Sequence, residues 1–186
     1  SRALVVVKEA DGFGIARLNA NGSAAGVMES TWGGYCASLS PTSGALAFVA
    51  KGEDAGPGGS EIYTMAAGSG QRVNVTQLGS LFDLFSAVPQ SRMSGQYGCP
   101  AWSPDGARLA AWVTVSGRPY LVVVPSSARP GVEGHYFELE PAGYEAPPIW
   151  TPDSRRLLVF VKPEGQETGE LASVDASTGR VTRLAI

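Results

Sequence analysis

One phrase occurs three times in this chain: a small or apolar strand, a Ser/Thr-Pro-x-x turn, and a second apolar strand. The copies are Ala37-Ser38-Leu39-Ser40-Pro41-Thr42-Ser43-Gly44-Ala45-Leu46-Ala47-Phe48, Ala101-Trp102-Ser103-Pro104-Asp105-Gly106-Ala107-Arg108-Leu109-Ala110-Ala111-Trp112, and Ile149-Trp150-Thr151-Pro152-Asp153-Ser154-Arg155-Arg156-Leu157-Leu158-Val159-Phe160. A recurring unit cannot bury its apolar face alone and must stack on its copies. The 24 Gly and 13 Pro that separate short apolar runs mark an all-β chain rich in turns.

The segments after each phrase align as well. Ile62-Tyr63-Thr64-Met65 matches Leu171-Ala172-Ser173-Val174, and Ile15-Ala16-Arg17-Leu18 is an earlier copy. Each alternates with period two and leads to a Gly-containing turn and a further strand: Ala25 to Glu29, Arg72 to Thr76, or Arg180 to Leu184. One unit is therefore a four-stranded antiparallel meander of about 40–45 residues, the size of a propeller blade. The turn chemistry agrees. Pro104 presets φ, Asp105 supplies an Asx-type hydrogen bond, and Gly106 tolerates φ > 0.

Trp102-Ser103-Pro104-Asp105-Gly106 resembles the signature of the TolB-like β-propeller repeat. Trp150-Thr151-Pro152-Asp153-Ser154 is a slightly degraded copy, and Ser40-Pro41-Thr42-Ser43 has lost both the Trp and the Asp. The resemblance implies blades whose first strand lines a central channel, with the Ser-Pro-Asp-Gly turn leading to the second strand. It also implies an extracytoplasmic setting (periplasmic, envelope or secreted), since such proteins are often exported in bacteria. No export signal is legible in the sequence itself.

The expected organisation is one propeller domain over 1–186. It comprises an incomplete blade at 3–29, a blade at 34–76, an insertion at 77–97, and blades at 98–140 and 146–186. That is about three and three-quarter blades, whereas closed propellers use roughly 4–8. The missing element is the first strand of the first blade, and no spare strand follows the last one. Three readings stay open: part of a larger propeller, a ring completed by a second copy as a homodimer, or a small open or four-bladed variant. Exposed blade edges favour association of some kind.

The insertion carries Leu78, Leu81, Phe82, Leu84, Phe85 and Val88 at helical spacing, ended by Pro89. It is read as a short amphipathic helix that packs on its own sheet, or alternatively as a contact surface for a partner through Leu81, Phe82 and Phe85.

Bulk properties exclude several functions. A net charge of −3 without a basic run gives no footprint for nucleic acid. No apolar stretch approaches the ~18 residues of a membrane span. Cys36 and Cys99 each stand five residues before a turn proline. Two small buried thiols are expected there, with a Cys36–Cys99 disulfide as the alternative, because bridging needs Cα atoms within about 7 Å. His135 is the only histidine and is expected on a surface strand, which leaves multi-imidazole zinc sites without ligands. Glu53, Asp54, Glu164, Glu167 and Glu170 read as solvated loop charges rather than a calcium site. No nucleophile elbow or phosphate loop occurs, so neither cofactor nor metal nor catalytic residue is assigned.

Asp105 and Asp153 are expected to hold turns, and Trp102 and Trp150 to pack between blades, with Pro104, Gly106 and Pro152 shaping the turns. The leading function is a non-catalytic protein-interaction module. The alternatives are an accessory propeller of a serine peptidase or hydrolase, or a small-ligand or sugar binder using Trp112, Tyr120, Tyr144 or Trp150.

Overall fold

The computed structural model describes residues 3–9, 12–18, 21, 23–31, 35–51, 59–66, 71–76, 95–115, 117–127, 134–139, 146–162 and 168–184. Among these there is no helix. The strands form four antiparallel sheets in chain order. The first contains β1 (Ala3–Glu9), β2 (Gly12–Leu18) and β3 (Ala24–Thr31); the second contains β4 (Tyr35–Leu39), β5 (Leu46–Lys51), β6 (Ser60–Met65) and β7 (Arg72–Asn74). The third holds β8 (Gly95–Tyr97), β9 (Ala101–Trp102), β10 (Arg108–Val115), β11 (Arg118–Pro125) and β12 (His135–Glu138). The fourth is β13 (Ile149–Trp150), β14 (Arg156–Val161), β15 (Glu170–Asp175) and β16 (Val181–Arg183).

Register fixes which residues are equivalent. Leu39 faces Leu46, Trp102 faces Leu109, and Trp150 faces Leu157 across the Ser/Thr-Pro turn. Because side chains alternate between sheet faces, Leu109, Ala111 and Val113 point one way and Ala110 and Trp112 the other. The first set packs with Ala47, Val49 and Ile62 of the second sheet. The other set, with Leu121 and Val123, packs against Leu157, Val159, Val161, Ala172 and Val174 of the fourth. The third sheet thus has a back face toward the second and a front face toward the fourth, and the equivalent faces of the second and fourth sheets are named in the same way. The back face of the second sheet gathers Leu46, Phe48, Ala50, Tyr63 and Met65 into a third cluster. The first strands run side by side, β4 against β9 and β9 against β13.

The third sheet departs from the expected boundaries. Its first strand is in two pieces, β8 and β9, both paired to β10, with Gly98 donating its N–H to Trp112 O at 2.8 Å between them. Residues 95–97, expected in the insertion, are therefore sheet residues. The expected amphipathic helix at 78–88 lies outside the described residues.

The second sheet is irregular at the matching place. Pairing passes from Tyr35↔Val49 to Ala37↔Phe48, leaving Cys36 as the extra residue of a bulge at φ 56. Cys36 and Cys99 form a disulfide with Cα atoms 4.9 Å apart. This corrects the expectation of free thiols. The expectation rested on neighbouring first strands standing too far apart to bridge, whereas a bulge in one and a break in the other bring the two residues together at the seam.

The bridge closes a loop with a sequence separation of 63 residues. In the chain-entropy account, a loop of that length stabilises the fold by about 4 kcal/mol. Reduction, or Cys36→Ser with Cys99→Ser, is expected to lower urea stability by a large part of that amount. An unchanged midpoint between oxidised and reduced protein would contradict the staple.

Candidate interaction surface

The turns are built from the same bonds twice. In the third sheet the Ser103 hydroxyl donates to Asp105 Oδ1 at 2.5 Å and accepts the Arg108 N–H at 2.9 Å, while Asp105 Oδ1 also accepts the Ala107 N–H at 3.0 Å. In the fourth, Thr151, Asp153, Arg156 and Arg155 repeat the pattern at 2.6, 3.0 and 3.0 Å. The Ser103 hydroxyl, and then the Ala107 N–H, hold the Asp105 carboxyl below the usual aspartate range. Thr151 and the Arg155 N–H do the same to Asp153. Asp175 is lowered likewise by Thr178, first through its backbone N–H and then through its hydroxyl.

Position four of the turn needs a left-handed residue. Gly106 supplies φ 71, and a Cβ there would run into the Thr42 hydroxyl of the neighbouring turn. Ser154 adopts φ 59 at the same position despite its Cβ. Its hydroxyl accepts the Asp105 N–H at 3.1 Å and its carbonyl accepts Arg108 Nη2, so the strained residue ties two turns together.

A second pair of bonds crosses each seam beside the first strands. Trp102 Nε1 donates to Ser38 O at 3.1 Å, and Trp150 Nε1 donates to Ala101 O at 3.0 Å. Donor and acceptor occupy the same repeat positions in both seams, two and three residues before the turn proline. The Arg108 guanidinium also lies 5.0 Å from the centre of the Trp150 ring. Ser38 adds a bond from its hydroxyl to Pro100 O at 2.8 Å.

Between the second and third sheets lies a cavity of about 330 Å³, lined by Thr64, Met65, Val73, Trp102, Gly106 and Ser126 among others. A polar cluster is buried where β6 and β7 pair in the second sheet. Glu61, 1% exposed, accepts from the Tyr63 hydroxyl at 3.3 Å and from Asn74 Nδ2. Asn74 Oδ1 accepts the Thr76 N–H at 3.1 Å, and the Thr76 hydroxyl accepts the Ile62 N–H at 2.9 Å. Burial lifts the Tyr97 phenol well above its ordinary value, helped by Tyr136, and pushes Tyr136 to about 12. Such a network fixes how β6, β7 and β8 meet. Sequence reading missed Glu61 and Asn74, since a Glu within an apolar strand gives no sign of its burial.

The front face of the fourth sheet differs from its equivalents. Ile149 is 63% exposed and Phe160 53%, and Leu184 is also exposed. Phe160 pairs with Leu171, and Ile149 with Leu158, so these residues share one side.

The aromatic residues expected to stack on a ligand are placed otherwise. Trp112, Tyr120 and Trp150 are buried, and Trp112 and Trp150 belong to the seam between the third and fourth sheets. Tyr144, Leu81, Phe82 and Phe85 lie outside the described residues, as do Glu53, Asp54, Glu164 and Glu167. His135 is exposed on β12. No group of His, Cys, Asp or Glu among the described residues is arranged to hold a metal.

Solved structures share this arrangement. TolB from Acinetobacter baumannii superposes over 99% of this chain and 40% of its own, with a TM-score of 0.65 and 20% identity. A protein of Agrobacterium tumefaciens assigned as TolB gives 0.66 at 16% identity, over 99% of this chain and 61% of its own. The fold is that of a TolB-like β-propeller. An oligogalacturonate lyase from Vibrio parahaemolyticus is similar too, at a TM-score of 0.61 and 9% identity over 93% of this chain and 42% of its own. The chain spans only two-fifths to about three-fifths of the TolB structures it matches. No protein-family model and no curated protein sequence matches it. Among the described residues of this TolB-like chain, no helix is long and apolar enough to cross a membrane.

The lowered turn carboxyls make the repeated turns acid-sensitive in a defined direction. A depressed folded pKa contributes stability in full above the unfolded value near 3.9, and that contribution is lost as pH falls through the folded value. Asp105→Asn with Asp153→Asn keeps an acceptor oxygen but removes the titration. Thermal midpoints measured on the acid side of about pH 4 should fall more steeply with acid in the wild type than in this variant. Parallel slopes would contradict the role given to these carboxyls.

Proposed function

We propose that this chain is a non-catalytic, protein-interaction segment of a TolB-like propeller that works outside the cytoplasm of a bacterium. The observation that carries the reading is a scaffold of stacked sheets, superposable on TolB structures over 99% of its length. Sheet-to-sheet bonding absorbs the indoles of Trp102 and Trp150, and bonds within the turns absorb the carboxylates of Asp105 and Asp153. The surface left for recognition consists of loops, the channel-side strands and the front face of the fourth sheet. The Cys36–Cys99 disulfide supports the extracytoplasmic part, because such bonds persist in oxidising compartments and are rare in the cytosol.

The likeness to a lyase does not favour a sugar-binding reading, since Trp112, Tyr120 and Trp150 have their rings packed inside the protein. A propeller scaffold also hosts many unrelated activities, so fold likeness to an enzyme assigns no chemistry.

The test is cross-linking of the native polypeptide in intact cells, followed by fractionation and mass spectrometry under non-reducing conditions. The expected result is an envelope or secreted location, an oxidised Cys36–Cys99 pair, and one protein partner recovered in near-stoichiometric amount. A reduced cytosolic protein, or turnover of a small substrate without a partner, would contradict the proposal.

A further inference from the structure

The chain carries asparagine at positions 19, 21 and 74, and of these only Asn21 is followed by glycine. That pairing has a chemistry of its own. A backbone nitrogen attacks the side-chain carbonyl of the asparagine before it and closes a five-membered ring, an intramolecular reaction favoured by proximity. Glycine has no Cβ to shield its nitrogen. A β-branched successor crowds the same approach.

The structure separates Asn21 from Asn74. Asn21 is an exposed turn residue in the connection closed by the Leu18↔Ala24 pair of β2 and β3. Its Oδ1 accepts the Ser23 N–H at 3.0 Å and the Ser23 hydroxyl at 2.7 Å. Two donors on that oxygen stabilise the negative charge that develops there when Cγ becomes tetrahedral. Asn74 also has donors on Oδ1, the Thr76 N–H at 3.1 Å and the Thr76 hydroxyl at 3.5 Å. Its nucleophile is occupied, however, because the Val75 N–H is donated to Ile62 O at 2.9 Å. Its Nδ2, the leaving group, is held by buried Glu61, and the β-branched Val75 is itself buried. The acceptor oxygen is similarly supplied at both residues. What distinguishes Asn21 is its exposure and an unshielded successor.

From these contacts we infer that Asn21 is a self-modification site, converted to aspartate and isoaspartate with water as the only reagent. The Gly22 nitrogen gives its proton to hydroxide and bonds to Asn21 Cγ, and the electron pair of the C=O bond moves to Oδ1. When that oxyanion collapses, the Cγ–Nδ2 bond breaks and Nδ2 leaves as ammonia with a proton from water. Water then adds to one of the two ring carbonyls. Opening at Cγ restores the backbone with an aspartate. Opening at the Asn21 main-chain carbonyl leaves isoaspartate, whose backbone is longer by a methylene. Either product adds a negative charge to a chain of net charge −3, and the second lengthens the β2–β3 connection. This chemistry goes beyond the proposed function and needs no partner.

The test incubates the purified chain at mildly alkaline pH and maps its peptides by mass spectrometry, with electron-transfer fragmentation to tell isoaspartate from aspartate. The expected result is progressive conversion at Asn21, isoaspartate among the products, a rate that rises with pH, and an intact Asn74 in the same molecules. Ser23→Ala should convert roughly fivefold more slowly, the effect of one ordinary hydrogen bond on the developing oxyanion. Gly22→Val should lose the conversion while circular dichroism confirms the fold; if that variant does not fold, the exposed Ser23→Ala decides. An unchanged Asn21, a product that is aspartate alone, or an Asn74 that converts at the same rate overturns the inference. So does a sugar on Asn21 Nδ2 in protein taken from cells, since the leaving group would then be blocked. Equal rates in Ser23→Ala and wild type overturn the part given to the hydroxyl.

Discussion

The second, third and fourth sheets of this protein are held in register by an indole N–H that crosses from one first strand to the carbonyl of the one before it. Taken alone the bond is modest, about 1 kcal/mol net for a neutral hydrogen bond. Burial of the aromatic and aliphatic side chains on either side of the seam is larger in sum, at ~25 cal/mol per Å² of apolar surface. Apolar burial, however, is nondirectional. What the indole adds is a fixed point: the Trp102 N–H donates to Ser38 O, and the Trp150 N–H donates to Ala101 O. With that point set, the turns align closely enough for Ser154 to accept from Asp105 and for Arg108 to lie over Trp150.

The same seam explains where irregularity is tolerated. The first strand of the third sheet breaks at Gly98–Pro100 and that of the second bulges at Cys36, yet both still carry a seam bond through Ser38. Where backbone pairing lapses, the disulfide holds the strands instead. The Tyr97 N–H, donated to the Ser60 hydroxyl at 2.9 Å, ties the two sheets further along that seam.

Much of this was legible in the repeat. Three phrases in register told of stacked four-stranded units, and the Ser-Pro-Asp-Gly pattern indicated turns closed by side-chain bonds. Direction was not legible. Nothing in the sequence says that the Trp of one unit donates backward to its predecessor, or that even and odd residues of β10 serve different neighbours. The disulfide is not legible because the sequence does not give the distance between neighbouring first strands, and the bulge at Cys36 arises from three-dimensional fit rather than from local propensity. Trp112 and Tyr120 looked like ligand platforms because large aromatics suit both roles, and only the placement of adjoining sheets separates them.

The central claim is that these indoles are seam bonds rather than general packing. Hydrogen–deuterium exchange of the tryptophan side-chain N–H groups, followed by NMR, tests it directly. The Trp102 and Trp150 indole protons are predicted to be strongly protected, exchanging only when a seam opens. Exchange of both at the rate of a solvent-exposed indole would contradict the account.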